Sequence, residues 1–202
     1  MSHEHPPVFV EKNGRVLFDI AASPLAGIFT PEAAYKGIWN EWSAETEIAG
    51  YTGDCYYRWA GPDVKWNAGL GVLTYYFFID EPGVYQITMR TLSRDGEPGR
   101  PRANGAFMRF NGQQWHKVKS KEHGEWSWNF MYEHYHDPSE LNPSRVPCLR
   151  HFDHGIHRME ISGRQNGMIL DRVAIAQQGV EAHNLALPVS DSFSHPERTL
   201  PW

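Results

Sequence analysis

The stretch Leu73-Thr74-Tyr75-Tyr76-Phe77-Phe78-Ile79, followed by Asp80-Glu81-Pro82-Gly83 and then by Val84-Tyr85-Gln86-Ile87-Thr88-Met89-Arg90-Thr91-Leu92, decides the fold class. The first run is apolar and aromatic but far short of the roughly 20 residues a bilayer helix needs, so it reads as a strand. The four residues after it form a Pro-Gly turn. Beyond the turn, Tyr85, Ile87 and Met89 alternate with Gln86, Thr88 and Arg90, the two-residue period of a strand with one face inward and one toward water.

The same grammar extends in both directions. Val16-Leu17-Phe18-Asp19-Ile20 is a short strand ended by Ser23-Pro24, and further strands are expected at residues 54–59, 106–110, 114–118, 126–130, 156–162 and 168–176. Gly163-Arg164-Gln165-Asn166-Gly167 joins the last two as a hairpin loop. The one good helix signal is Thr30-Pro31-Glu32-Ala33-Ala34-Tyr35, with an N-cap residue and proline at the first helical position. Eight or nine strands without alternating helices predict an all-β fold, a two-sheet antiparallel β-sandwich of jelly-roll type. The domain is expected over residues 15–176, after an N-terminal extension at 1–14 and before a C-terminal tail at 177–202. Residues 93–104 and 132–153 resist the strand reading and are set down as long loops.

Composition narrows the function. At 202 residues the chain buries roughly 70% of the surface its unfolded state exposes, so folding as such requires neither a disulfide nor a metal. Nineteen Lys and Arg against 24 Asp and Glu leave a net charge of -5, which argues against nucleic acid as a partner. No apolar run suits a membrane, and Met1-Ser2-His3-Glu4-His5-Pro6-Pro7 lacks the basic start and apolar stretch of a secretion signal. Cys55 and Cys148 are expected to be free thiols. Eight Trp, 9 Tyr and 10 Phe are either core or a platform for stacking flat ligands. A pyranose presents such a face of C–H groups, and its hydroxyls suit planar polar side chains. His134-Tyr135-His136 would turn two imidazoles to one side of a strand, as zinc ligation requires, but no His-Glu-x-x-His signature accompanies it. A nucleophile elbow and a phosphate-cradling glycine loop are also missing.

Taken in order, Val16-Leu17-Phe18-Asp19-Ile20-Ala21, Tyr51-Thr52-Gly53-Asp54, Tyr56-Tyr57-Arg58-Trp59, Pro82-Gly83-Val84-Tyr85 and the stretch from Gly155 through Asn166 to Val173 resemble the calcium-containing β-sandwich carbohydrate-binding modules of families six and thirty-five and their malectin-like relatives, in the galactose-binding-domain-like fold. The resemblance covers roughly residues 15 to 176. It implies a structural calcium ion held by Asp19 and Asp171, with Ala21 standing where a second acidic residue would be. It implies a ligand site in the loops at one end of the sandwich, with Arg164 and Asn166 from the last hairpin, Trp59 and Trp126 as stacking faces, and Asn104 nearby. The expected function is therefore non-catalytic binding of a polysaccharide or oligosaccharide, in an extracellular or periplasmic setting, as part of a larger polysaccharide-processing protein. The alternative is a polysaccharide lyase or glycoside hydrolase on the same scaffold, using Tyr132, His134, Tyr135 or His136 with Arg145 or Arg150 from the 132–153 insertion. A third reading is a structural or protein-binding sandwich with an exposed aromatic patch.

Overall fold

A computed structural model describes residues 6–22, 41–93, 103–120, 124–128, 130–134 and 144–194. These residues form strands β1 (Pro7–Val10), β2 (Arg15–Asp19), β3 (Trp42–Glu45), β4 (Tyr56–Trp59), β5 (Leu73–Ile79), β6 (Gly83–Leu92), β7 (Gly105–Phe110), β8 (His116–Ser120), β9 (Trp126–Ser127), β10 (Phe130–His134), β11 (Ser144–Phe152), β12 (Gly155–Gly163), β13 (Ile169–Gln177) and β14 (Ser192–Ser194). A single 3-10 turn at Ile20–Ala22 is the one helical element among the described residues. The helix expected around Thr30 to Tyr35 lies outside them.

The strands make one continuous ladder in the order β14-β1-β5-β12-β7-β8-β10-β11-β6-β13-β4-β3, with β2 also on β13 and β9 also on β6. Strand β11 bends this ladder. Its first residues, Ser144 to Pro147, pair with β10, whereas Cys148 to Phe152 pair with β6. Pro147 has no N–H to give a ladder, and it sits where the strand changes partner. The β1–β5 pair is parallel, and every other strand pairing among the described residues is antiparallel.

Curling brings the inner faces of the two halves together. On β5, Leu73, Tyr75, Phe77 and Ile79 are buried while the residues between them are half-buried, as the two-residue period requires. Phe18 on β2 stacks on Phe9 of β1 at 4.8 Å and on Tyr75 of β5 at 4.9 Å between ring centroids, so opposite halves meet in one core. Farther along, Phe152 of β11 meets Phe77 at 5.2 Å and Phe110 at 5.3 Å, edge to face. The buried hydroxyl of Tyr75 donates to the Ile20 carbonyl at 2.8 Å, so the ring enters the core without an orphaned polar atom. Cys55 and Cys148 are free. A bulge between Leu170 and Arg172 gives β13 an extra residue, letting Leu170 and Val173 both join the core although they are three apart.

Both ends of the described chain are tied into the ladder. Strand β14 pairs with β1, and the Ser190 N–H donates to the Leu17 carbonyl at 2.8 Å. Between them the chain lays His183 on Trp128, ring centroids 5.1 Å apart.

Packing is close around Trp59, which is fully buried and meets Trp42 edge to face at 5.3 Å. A β-carbon on Gly61, Gly71 or Gly163 would overlap the Trp59 ring. Gly163→Ala is therefore expected to destabilise the fold by about 1–3 kcal/mol, the usual cost of overpacking a filled core. Urea titration would read this as a lower midpoint at unchanged slope; an unchanged midpoint would mean the ring has room to yield.

Candidate functional site

Two segments meet at the end of the sheet beside Trp59: the connection between β4 and β5, and the hairpin between β12 and β13. Polar contacts pin them together along their length. The Asn166 side-chain amide donates to the Ala60 and Gly61 carbonyls, each at 2.8 Å, and the Asn166 backbone N–H donates to Asp63 Oδ1 at 2.7 Å. The Val64 N–H donates to the Arg164 carbonyl at 2.8 Å, and the Gly163 N–H to the Leu70 carbonyl at 3.0 Å. Ser162 Oγ accepts from the Gly69 N–H at 2.8 Å and donates to the Leu70 carbonyl at 2.9 Å. A connection fixed at so many points is preorganised rather than a free loop.

This connection carries Trp66, a residue 57% exposed, between the exposed residues Lys65 and Asn67. The ring lies over β8, with the Lys117 ammonium 3.0 Å from its centroid. Alternation on β8 sends Val118 into the core and leaves Lys117 and Lys119 on the outer face. There Lys119 Nζ lies 2.6 Å from Glu133 Oε1, and Arg164 Nη2 lies 3.2 Å from Glu133 Oε2. The Glu133 and Arg164 side chains are 1% and 7% exposed, so both charges have left water and depend on each other. Burial pushes the Lys117 amine down to about 8, helped by the nearby Arg164 charge and opposed by Glu133.

Of the five ligand residues expected from the sequence, four gather at this end. Trp59 is fully buried beneath the connection, so its ring supports the site from below and presents no stacking face. Arg164 is spent on Glu133. Asn104 is buried and ties the start of β7 to the end of β8, its amide donating to the Ser120 carbonyl at 3.1 Å while its own carbonyl accepts the Ser120 N–H at 2.8 Å. Asn166 is exposed at the hairpin tip; both amide hydrogens are used, which leaves Oδ1 as its acceptor for a ligand hydroxyl. The fifth, Trp126, stands apart on the other half. Its indole N–H donates to the Ala49 carbonyl at 2.9 Å, its ring meets Tyr56 at 5.7 Å, and the Arg90 guanidinium lies 5.0 Å from its centroid.

Trp66, Lys117, Glu133 and Asp63 were not among the expected residues. A signal for Trp66 was present: a tryptophan inside Gly61-Pro62-Asp63-Val64-Lys65-Trp66-Asn67, a turn-rich polar stretch between strands, has no strand face to bury it. Of the insertion residues proposed for a lyase, burial raises the Tyr132 phenol far above its ordinary range, which disfavours its use as a base. Arg150 lies against Phe110 and Phe152. Tyr135, His136 and the His134 side chain lie outside the described residues.

The positions expected to hold calcium are Asp19 and Asp171, and the residues around them can be tested for fit. Asp171 is fully buried, its Oδ2 bonded to Arg90 and its Oδ1 accepting the Thr52 N–H at 2.7 Å. Asp19 Oδ1 accepts from Arg172 Nε at 2.7 Å and from the Thr52 hydroxyl at 2.8 Å. A calcium cage needs six to eight oxygens free to turn toward the ion, whereas here guanidinium groups already hold both carboxylates. The donor set does not fit the ion as it stands.

No protein-family model matches the sequence, and no curated protein does. Among solved structures, the fold is shared with a chain from the crystal structure of a Podospora anserina GH26-CBM35 beta-(1,4)-mannanase, at 11% identity and a TM-score of 0.51. That match covers 85% of this chain and 29% of the mannanase chain, so the protein spans under a third of that chain's length. A family 35 carbohydrate binding module from Clostridium thermocellum matches at 14% identity and a TM-score of 0.42, over 84% of this chain and 96% of its own. At this identity the mannanase likeness establishes a common all-β fold.

The Lys117 environment has a pH signature. An unfolded lysine keeps its proton up to its ordinary value of 10.5, whereas folded Lys117 releases it near 8. Between those values the unfolded chain binds more protons, so this residue's contribution to stability rises with pH. Urea midpoints of wild type and Lys117→Met, compared from neutral pH upward, should move in favour of wild type between about 8 and 10.5 and level off outside that window. A flat difference would place the amine in open water.

Proposed function

We infer that the protein is a non-catalytic carbohydrate-binding module of the β-sandwich type, and that its sugar stacks on Trp66. One observation carries this: a large aromatic ring, 57% exposed, on a connection pinned by hydrogen bonds at both ends. An exposed ring held rigid loses little entropy on binding and regains water-excluded area when a pyranose face covers it. The exposed polar residues of the same two segments, Asn166 with its Oδ1, Asp63 and Asn67, are suited to sugar hydroxyls. Arg164, Asn104 and Trp59 sit behind them and hold the frame. Trp126, on the other half of the sheet, has no part in this site.

The protein whose chain shares the fold is a GH26-CBM35 beta-(1,4)-mannanase, and this supports a polysaccharide or oligosaccharide as partner. On the same ground the protein serves as a module of a larger polysaccharide-processing protein that works outside the cytoplasm.

Screening on a glycan array, followed by calorimetry and product analysis on the best binder, tests both parts. Trp66→Ala removes most of an aromatic contact worth about 1.5–3 kcal/mol, so affinity should fall roughly 10- to 100-fold while the urea midpoint stays put. Asn166→Ala should weaken binding and also loosen the connection, because two carbonyls lose their donor. Unchanged affinity in Trp66→Ala would remove the ring from the site. Release of shortened or unsaturated sugars by wild type would replace binding with catalysis.

A further inference from the structure

We propose that Arg90 and Arg172 do in this protein what a bound calcium ion was expected to do, closing the fold around Asp19 and Asp171 with internal cations. The four side chains carry two negative and two positive charges, and each carboxylate has its own guanidinium: Arg90 on Asp171 and Arg172 on Asp19. Thr52 joins the pairs. Its hydroxyl lies 2.8 Å from Asp19 Oδ1 and 3.1 Å from Asp171 Oδ1, and its backbone N–H donates to the same Asp171 oxygen.

The connectivity is that of a cross-link. Asp19 ends β2, Arg90 lies on β6, Asp171 and Arg172 sit at the β13 bulge, and Thr52 lies on the segment before β4. Arg172 Nη1 also donates to the Leu187 carbonyl at 3.2 Å, which brings in the C-terminal segment. Gly53, at φ 65°, lets the backbone press against the Asp19 carboxylate, where a β-carbon would collide with it. Early strand, late strand and tail are thus joined through one charge-balanced cluster. Arg90, Arg172 and Asp171 are all at most 7% exposed as residues, so the attraction is little screened by salt.

Two guanidinium groups beside the carboxylates also repel a divalent ion, and to bind one Asp171, whose two oxygens are both engaged, would have to give up a present partner. The irregularity in β13 falls at Asp171, which pairs with Arg90 of β6, while the next residue, Arg172, pairs with Asp19 of β2.

The test uses the whole purified chain. Dialysis against chelator, metal analysis, and thermal melts with chelator or with millimolar calcium should give no stoichiometric calcium and one melting temperature under both conditions. A melting temperature that falls with chelator and recovers with calcium would overturn the proposal, since an ion that binds only the folded state stabilises it by mass action. One calcium per chain after dialysis against buffer alone would do the same, and the cleft of about 250 Å³ bordered by Asp19, Gly53 and Asp54 would be its place. A second measurement is a cycle of Arg90→Met, Asp171→Asn and the double variant. If Arg90 is the counter-ion, the double variant loses clearly less than the sum of the single losses; strict additivity would mean that something else neutralises Asp171. Should a single variant fail to fold, the wild-type melts still decide.

Discussion

Everything at the candidate site rests on the Trp59 indole. It occupies a slot that exists because Gly61, Gly71 and Gly163 have no side chains, and those three glycines belong to the β4–β5 connection and to the end of β12. A ring that large, buried with its N–H donating to the Pro62 carbonyl at 3.1 Å, fixes where the connection leaves the sheet and where it returns. The Gly167 N–H then donates to the Trp59 carbonyl at 2.7 Å, so the hairpin is set by the same residue. With both segments placed, Trp66 reaches over β8 at a defined height. The buried tryptophan holds the exposed one in position.

Much of the fold was legible, because half-buried strands write their period into the sequence. β2, β5, β6, β7, β12 and β13 fall where alternation and turn residues put them, within a few residues. What escaped had weaker local signals for identifiable reasons. β1 and β14 are short strands at the two ends, and β1 joins β5 in parallel, a pairing that no hairpin turn announces. β11 carries a proline and two exposed apolar residues, Val146 and Leu149, because it passes from one half of the ladder to the other. Its sequence therefore never settles into one inward and one outward face. The expected strand at 114–118 lies two residues later, and the one at 126–130 is split into β9 and the start of β10. At the site, the hairpin and Asn166 were legible from glycines at a turn. Trp66 was easily passed over because a tryptophan by itself reads as core; its turn-rich polar setting was the one signal against that, and the packing of Trp59 below it shows which ring is inside.

The outer faces of the two halves each bury a carboxylate, and they resolve the cost differently. A buried charge must be neutralised locally, since removing it from water costs several kcal/mol. On the β6–β13 half, Asp171 and Asp19 meet Arg90 and Arg172 in equal number. On the β7–β8–β10 half, Glu133 is met by Lys119 and Arg164, while Lys117 and Lys65 stand close by and Asp63 is engaged by the Asn166 N–H. Among the described residues, positive charge exceeds negative there.

The protein itself feels this setting, since loss of water, with the nearby Arg164 charge adding to it, pushes the Lys117 amine down to about 8. Such a cost persists only if the surroundings hold it in place, and here the pinned β4–β5 connection does so by laying Trp66 over the amine. A cation against one part of an indole draws on the ring's electron-rich face and leaves the exposed part of the ring apolar. The ligand best matched to this surface is flat and apolar over the ring, with hydroxyls at its margin to donate to Asn166 Oδ1. A sugar ring combines those properties in one small unit, whereas a simple anion would leave the tryptophan wet.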